Sequence, residues 1–496
     1  MKFKNFFFGP GFLVCLMLFG IFVGCAINPV TKRPDLVLTT TKGEQEIGAN
    51  EAKNVEQQLG LTDDPRLAAY IVSLGQRLAT LSPRQDIPYT FFVVEMIEPN
   101  AFALPGGFVY VSRGLLPIVN SEDELAGVVG HEIGHVAARH SVQRLSAAAP
   151  FAIVGGVAGA VTGIVSDNLS DAVMGITGFT GSLFLAPYSR SQEREADTVG
   201  VDLAAAGGYD PNGLSRFLAS LEVQEKLRKE KPKTPSFFDS HPSTPERVRD
   251  TADYAKSVPR GPARPIAADH EAFLKKLDGV VIGNHPAEGV FNENLFLHPH
   301  LDFALRFPAG WETQVSRQMV LAGDKEQVTL AFLQVAAEGN DPMVVPASLE
   351  KKSGGKVLDK IEKFQVGGLP AARLVFQANA KHGRMGVDLN WIAYQGLIYQ
   401  IVGISPESKF QTFEPVFRQM VNSFRPLTRT ERTNFTITRL RLARAHQGES
   451  LQSFISRTDC LWTDAELAAA NGISTNAVLK EGQLLKITKR ERYMPQ

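Results

Sequence analysis

The chain has 496 residues, more than one hydrophobic core accommodates, so about two to four domains are expected. Its 52 basic and 52 acidic residues cancel, and no basic run is interleaved with aromatics, which argues against nucleic acid as a partner. Three cysteines, Cys15, Cys25 and Cys460, provide no disulfide framework.

Lys2 and Lys4 precede an apolar stretch from Phe6 to Val23, and Gly24-Cys25-Ala26 follows. That is the charged start and apolar body of a secretory signal over residues 1–24. A cysteine directly after a small residue at this boundary resembles a bacterial lipoprotein site, with lipid added to Cys25, although Phe22 stands where leucine is usual. The alternative is an uncleaved anchor. Either way the chain is expected to be exported and held at a membrane, and Ala26 after the cysteine favours an outer membrane with the protein facing the periplasm. Residues 25–42 show no sustained period and read as a tether.

Residues 43–59 are polar and helical in pattern, and Asp64-Pro65 opens a second helix with Leu67, Tyr70, Ile71, Leu74 and Leu78 on its buried face. Tyr89–Met96 and Phe108–Ser112 read as strands. Ser121 and Glu124 form a capping box, and Leu125, Val128, Val129, Ile133 and Val136 recur at helical spacing, which predicts a helix from Ser121 to about Gln143. On that helix His131 and His135 stand one turn apart on a single face and can reach one metal ion. Glu132 sits beside the first histidine, where its carboxylate can meet an attacking water without ligating the metal. This is the H-E-x-x-H arrangement of a zinc hydrolase.

A catalytic zinc usually takes three protein ligands. The third is sought downstream, in a second capped helix that opens at Ser189 and ends at Gly207-Gly208. There Glu193 and Asp197 are i, i+4 neighbours, so one can ligate while the other accepts an N–H from a ligating histidine. Glu193 is expected to be the ligand and Asp197 the orienting residue, whereas Glu195 is rotated away by about 200°. Between the two helices, residues 145–166 and 172–189 carry no charge. They read as an apolar hairpin or lid over the site, with a bilayer crossing as the alternative by length. Pro211 to about Arg228 is a further helix, and Lys226–Lys233 a solvated charge run.

His131-Glu132-x-x-His135, Glu193-x-x-Ala196-Asp197 and Ser240-His241-Pro242-Ser243-Thr244-Pro245-Glu246-Arg247, with Asn100–Gly107 ahead of them, stand in one order over roughly 150 residues. Together they resemble the zinc metallopeptidases of the CAAX prenyl protease and heat-shock HtpX type, in their soluble bacterial branch. The resemblance implies a mainly helical gluzincin-type zinc peptidase domain with a small sheet over residues 43–258, and one zinc ion per chain. It implies that Asn100, Ala101, Phe102 and Ala103 border the cleft, where an extended polypeptide substrate adds to the sheet edge through main-chain hydrogen bonds. It also places His241 at the zinc, either stabilising the oxyanion or closing the open metal position, with Arg247 holding the loop through a carboxylate.

Val258–Pro265 is rich in proline and glycine and predicts a linker, residues 259–268. Strand-like periods follow at Leu301–Phe307, Val328–Val335, Ala372–Phe376, Leu389–Tyr394 and Leu397–Ile404, with a helix at about Phe410–Phe424. They predict an antiparallel α+β domain over 269–428 that carries no second cluster of catalytic residue types. The helical 34-residue repeats common in soluble relatives are not visible. Residues 436–490, with Ala445–Leu451, Asn471-Gly472 and Glu481–Ile487, resemble a LysM module, which commonly binds peptidoglycan, although a glutamate replaces the usual proline before Gly482. The expected whole is an α+β multidomain, membrane-tethered zinc endopeptidase of the envelope. The resemblance to the soluble peptidase branch implies a task, degrading misassembled envelope proteins, with the outer-membrane assembly machinery as a candidate partner. The rival expectation is an envelope chaperone or peptidoglycan-binding protein with minor or latent proteolysis.

Overall fold

The computed structural model describes residues 25–154, 187–228, 236–242, 245–263, 265–326, 328–353, 361–380 and 383–495. The expected signal 1–24 and most of the uncharged 145–189 stretch lie outside the described residues. Among the described residues, no helix is long and apolar enough to cross a membrane.

The chain opens with an antiparallel pair, β1 (Cys25–Ile27) and β2 (Pro34–Leu36). Instead of forming a free tether, this hairpin is docked on the body. Asn28 donates to Asp35 and to Glu195, Gln143 donates to Asp35, and the Leu38 amide donates to the Ser146 hydroxyl. Helix α1 (Thr41–Leu59) starts on the Thr40 side chain, and α2 (Pro65–Ala79) starts on the Asp64 carboxylate with proline at its first position. The predicted face of α2 is buried, with Ile71, Leu74 and Leu78 wholly so.

Three strands, β3 (Thr90–Val94), β4 (Ala101–Leu104) and β5 (Phe108–Ser112), form a sheet in the order β3-β5-β4. The outer two flank β5, which pairs parallel with β3 and antiparallel with β4. Helix α3 (Glu122–Ala137) is capped by Ser121 as expected but stops sooner than its apolar period suggests. The Val136 carbonyl, which a continuing helix would offer to residue 140, instead accepts from Arg84 and from the Arg139 amide. Arg139 turns left-handed at φ 61°, its guanidinium within 3.9 Å of Glu44, and α4 (His140–Val154) departs in a new direction. Arg84 is itself held by a bidentate pair with buried Glu44, at 2.8 and 2.7 Å.

Helices α5 (Arg190–Ala206), α6 (Gly213–Leu227), the short α7 (Phe237–Ser240) and α8 (Pro245–Ala255) complete the first body. The segment predicted as a linker lies along its surface. Gly261 donates to the Ala205 carbonyl, and the Ile266 and Ala267 amides both donate to the Glu122 carboxylate. Helix α9 (His270–Leu277), expected to open the accessory domain, buries Phe273, Leu274 and Leu277 in the first core alongside Leu78 and Leu125.

A second core is built from strands whose partners all run antiparallel. Strands β6 (Val290–Asn292), β7 (Leu295–His298), β8 (Phe303–Arg306) and the last short β16 (Arg425–Pro426) make one sheet. Strands β9 (Glu312–Val315), β10 (Met319–Gly323), β11 (Leu330–Glu338), β12 (Glu362–Val366), β13 (Leu369–Ala380), β14 (Gly383–Tyr394) and β15 (Leu397–Pro406) make another, in the order β12-β13-β14-β15-β11-β10-β9. Helix α11 (Glu407–Asn422), which follows α10 (Val344–Ser353) in the chain, covers them with Phe417, Met420 and Val421.

After the short α12 (Arg429–Thr433), the last unit runs β17 (Thr436–Arg444), α13 (Leu451–Thr458), α14 (Asp464–Ala470) and β18 (Leu484–Arg492), with the two strands paired antiparallel. It has its own small core around Phe454 and Leu467 but is joined to the first body. The Leu440 and Ile282 amides exchange hydrogen bonds with Val280 and Thr438, and Leu440 is buried in the first core.

Candidate metal centre

Helices α3 and α5 cross where both lack side chains. A β-carbon on Gly130 would stand 2.9 Å from the Gly200 carbonyl oxygen, one on Gly134 3.0 Å from Ala196 Cα, and one on Gly200 2.8 Å from the His131 amide nitrogen. The backbones therefore approach closely enough for side chains one turn apart on each helix to meet. His131, Glu132 and His135 are fully buried, and Glu193, Asp197 and His241 nearly so.

His131 Nε2 and His135 Nε2 are 3.0 Å apart, and the Glu193 carboxylate lies 3.4 Å from His135 Nε2 and 3.7 Å from His131 Nε2. His241, on the turn after α7, brings Nδ1 to 3.2 Å from His131 Nε2 and 2.9 Å from Glu193 Oε1. Asp197 takes the orienting position, 2.9 Å from His131 Nδ1. Arg247 of α8 clamps Asp197 through Nε and Nη2 at 2.6 and 2.7 Å, reaches Glu193 at 2.6 Å, and donates to the carbonyls of His241 and Pro242. One guanidinium thus fixes the carboxylates of α5 and the loop that carries His241.

The electrostatics separate the three acids. Burial pushes the Glu132 carboxyl upward, only partly offset by His241 and His131. Burial acts the same way on Glu193, yet His241, His135 and Arg247 outweigh it and hold that carboxyl well below the usual range. Asp197 is likewise kept low against its burial by Arg247. Burial carries His135 well below the usual imidazole range, which keeps it neutral and able to ligate. His241 goes the other way because Glu193 and Glu132 overcome its burial.

The donor set fits zinc. Ligands held about 2.1 Å from one tetrahedral ion stand roughly 3.4 Å from each other, and the distances among the donor atoms given above, 2.9 to 3.7 Å, lie around that value. With the far nitrogens of His131 and His135 engaged by Asp197 and His140, both Nε2 atoms offer lone pairs toward one point. His131, His135, Glu193 and His241 form the group of potential ligands among the described residues, with all donor atoms within 4.8 Å of one another. Both oxygens of Glu132 lack a hydrogen-bond partner among the described residues, so a buried carboxylate stands ready beside the ligands.

The predicted edge residues lie as the strand order requires. Asn100 precedes β4, and Ala101, Phe102 and Ala103 form its first three positions at the edge of the sheet. The Ala103 carbonyl accepts from Ser141, and the Phe237 amide donates to the Pro99 carbonyl, so α4 and α7 both approach that edge. Two site residues were missed by sequence reasoning. Tyr188 stacks on His135 with ring centres 3.9 Å apart, and no motif marks it. His140 meets His135 nitrogen to nitrogen at 2.8 Å. On an unbroken helix it would point about 140° away from His135, so only the break at Arg139 brings them together.

A helix-borne H-E-x-x-H pair joined by a glutamate from a second helix marks the site as a zinc metallopeptidase centre. The comparisons agree: the family model described as peptidase family M48 matches residues 65–255, and the chain belongs to that family. A metalloprotease of Escherichia coli, YcaL, is 32% identical over 188 residues, which cover 38% of this chain and 68% of that protein. The β-barrel assembly-enhancing protease of Yersinia pestis is 29% identical over 242 residues, 47% of this chain and 48% of its own length. The mitochondrial metalloendopeptidase OMA1 of Schizosaccharomyces pombe is 31% identical over 180 residues, 36% of this chain and 50% of its own length. The chain thus spans less than half of the assembly-enhancing proteases it matches. Residues 298–426 match a model described as a serine/threonine kinase C-terminal domain. A solved structure of cyanobacterial PsbP from Synechocystis covers 29% of this chain and 98% of its own length, with 12% identity and a TM-score of 0.22.

Proposed function

We propose that the chain is a zinc-dependent endopeptidase of the bacterial cell envelope that acts on extended segments of misfolded or misassembled envelope proteins. The observation that carries this reading is the convergence of His131, His135 and Glu193, with Glu132 beside them and its carboxylate without a hydrogen bond among the described residues. Zinc bound there would polarise the scissile carbonyl and make water a nucleophile near neutral pH. Glu132 takes the proton of the attacking water on its carboxylate and delivers it to the leaving amine nitrogen, a role suited to a carboxyl that burial makes more basic. Asp197 and Arg247 keep His131 and Glu193 in position. The edge strand at Ala101–Ala103 binds substrate by main-chain pairing, selecting an extended conformation over a sequence.

His241 Nδ1 lies among the ligand atoms, which supports a latent enzyme in which this histidine closes the fourth position. The turn carrying it must then swing out to admit substrate. Lipid on Cys25 holds the protein at the outer membrane, facing the periplasm. Support comes from the apolar run at residues 6–23 directly before the β1–β2 hairpin and from that hairpin's exposed Ile27, Pro34 and Leu36, with Leu38 exposed just after it. The final β17-α13-α14-β18 unit supports a LysM-like module that engages peptidoglycan. The names of the relatives support the envelope setting and the outer-membrane assembly machinery as a partner.

Casein cleavage and zinc content test this directly. Glu132→Gln is expected to abolish cleavage while retaining one zinc per chain, and His241→Ala to raise cleavage if that histidine is the lock. Unchanged cleavage by Glu132→Gln would overturn the mechanism. A fall in activity on His241→Ala would assign His241 to the oxyanion instead.

A further inference from the structure

The two histidine ligands are held differently from behind. His131 Nδ1 faces a carboxylate, Asp197, which a buried arginine holds in place. His135 Nδ1 faces another imidazole, His140 Nδ1, at 2.8 Å, with both rings fully buried and their planes 71° apart. Two nitrogens at that distance share one proton. A His135 that offers Nε2 to a metal keeps its own proton on Nδ1, so His140 Nδ1 is the acceptor and the His140 proton resides on Nε2. That Nε2 points at Glu195 Oε2, 3.5 Å away, and has no hydrogen-bond partner among the described residues. The other Glu195 oxygen accepts from Asn28 Nδ2 at 2.9 Å, and Asn28 is a buried residue of the N-terminal hairpin.

We propose that His140 is a positioning residue for the metal ligand His135, and that Glu195, fixed by Asn28, orients His140 in turn. The inference rests on the zinc reading of the site. Each group in the series has a defined place: Asn28 donates to Glu195, the Glu195 carboxylate faces His140 Nε2 at 3.5 Å, and His140 Nδ1 accepts from His135. The series fixes the ring angle of His135 and the tautomer that leaves Nε2 free. The series runs from the metal site to the N-terminal hairpin. Glu195 is two residues from Glu193 on α5 but on its other side, so one helix supplies a ligand to the ion and an orienting carboxylate to the opposite histidine.

The test is zinc affinity, measured on the full chain by competition with a chromophoric chelator, together with the visible spectrum of the cobalt-substituted protein. His140→Phe fills the space but cannot accept from His135, and is expected to weaken zinc about 10- to 100-fold and to shift the cobalt bands. His140→Asn places an amide oxygen near the lost nitrogen and is expected to restore most of the affinity. Glu195→Ala, at a partly exposed position, is expected to give a smaller loss, and it serves as the test if His140→Phe does not fold. Wild-type affinity and an unchanged cobalt spectrum in His140→Phe, or in Glu195→Ala where that variant stands in, would overturn the proposal. So would an Asn variant as weak as the Phe variant, which would show that His140 merely fills space. A wild-type chain that takes up no zinc would overturn the proposed function itself, and this inference with it.

Discussion

Glu132 and Glu193 lie within one buried cluster, where burial pushes both carboxyls upward and only at Glu193 do the neighbours outweigh it. Glu193 has Arg247 at 2.6 Å and two imidazoles within 3.4 Å, whereas Glu132 has only His241 Nε2 at 3.5 Å. The acid rich in cationic partners suits a ligand, and the acid without hydrogen bonds suits a group that accepts and releases a proton. Asp197 joins these roles, because its charge both orients His131 and satisfies Arg247. Asp197→Asn is therefore expected to lower zinc affinity on the order of tenfold, read by chelator competition. An unchanged affinity would reduce Asp197 to a structural partner of Arg247. His131, Glu132, His135, Glu193 and Asp197 were legible in the sequence because each pair shares one helix and helical spacing fixes which side chains share a face. His140 was not, since its place depends on Arg139 leaving the helix, and that depends on Arg84 and Glu44, 55 and 95 residues earlier in the chain.

At the scale of elements, the site exists because α3 and α5 touch backbone to backbone. The glycines were visible in the sequence, but their periodicity does not say which helix they face, so the crossing itself could not be read. Gly200→Val would place a branched side chain where a single β-carbon already comes within 2.8 Å of the His131 amide nitrogen. The expected result is a stability loss of at least about 1–3 kcal/mol in urea unfolding, with zinc binding lost as the carboxylates of α5 move away from the histidines. Native zinc affinity in a folded Gly200→Val protein would contradict this account of the crossing. The break after α3 is an element-scale device as well. Arg84 takes the Val136 carbonyl and ties the end of the catalytic helix to α1 through Glu44. Removing one member of such a buried pair leaves the other charge uncompensated, and Arg84→Ala is expected to cost about 3–5 kcal/mol. A loss below about 1 kcal/mol would show that the pair does not brace the helix.

For the whole molecule, the predicted linker and tether both prove to be surface layers of the first body. Proline, glycine and a lack of period signal irregular backbone, but irregular backbone can still be hydrogen-bonded along its length, as Gly261, Ile266 and Ala267 are. The last unit is likewise fastened to the first. The Lys486 ammonium, fully buried, donates to the carbonyls of Pro117 and Val119 and to the Asn120 side chain, just ahead of the catalytic helix. Burial draws its pKa down from 10.5 to about 7. Between those values the unfolded chain holds a proton that the folded chain gives up, so this group's contribution to stability is lowest below pH 7 and rises as the pH climbs toward 10.5. The melting temperature of the wild type relative to Lys486→Met is therefore expected to increase from pH 7 to pH 9.5. A difference independent of pH would contradict the assigned environment of Lys486.

The central claim is that side chains from two crossing helices share one ion, and anomalous diffraction at the zinc edge from crystals of the full chain tests it most directly. The account predicts one strong peak within about 2.3 Å of His131 Nε2, His135 Nε2 and a Glu193 carboxylate oxygen. A peak bound elsewhere, or a zinc-soaked crystal with no density between these three side chains, would contradict it.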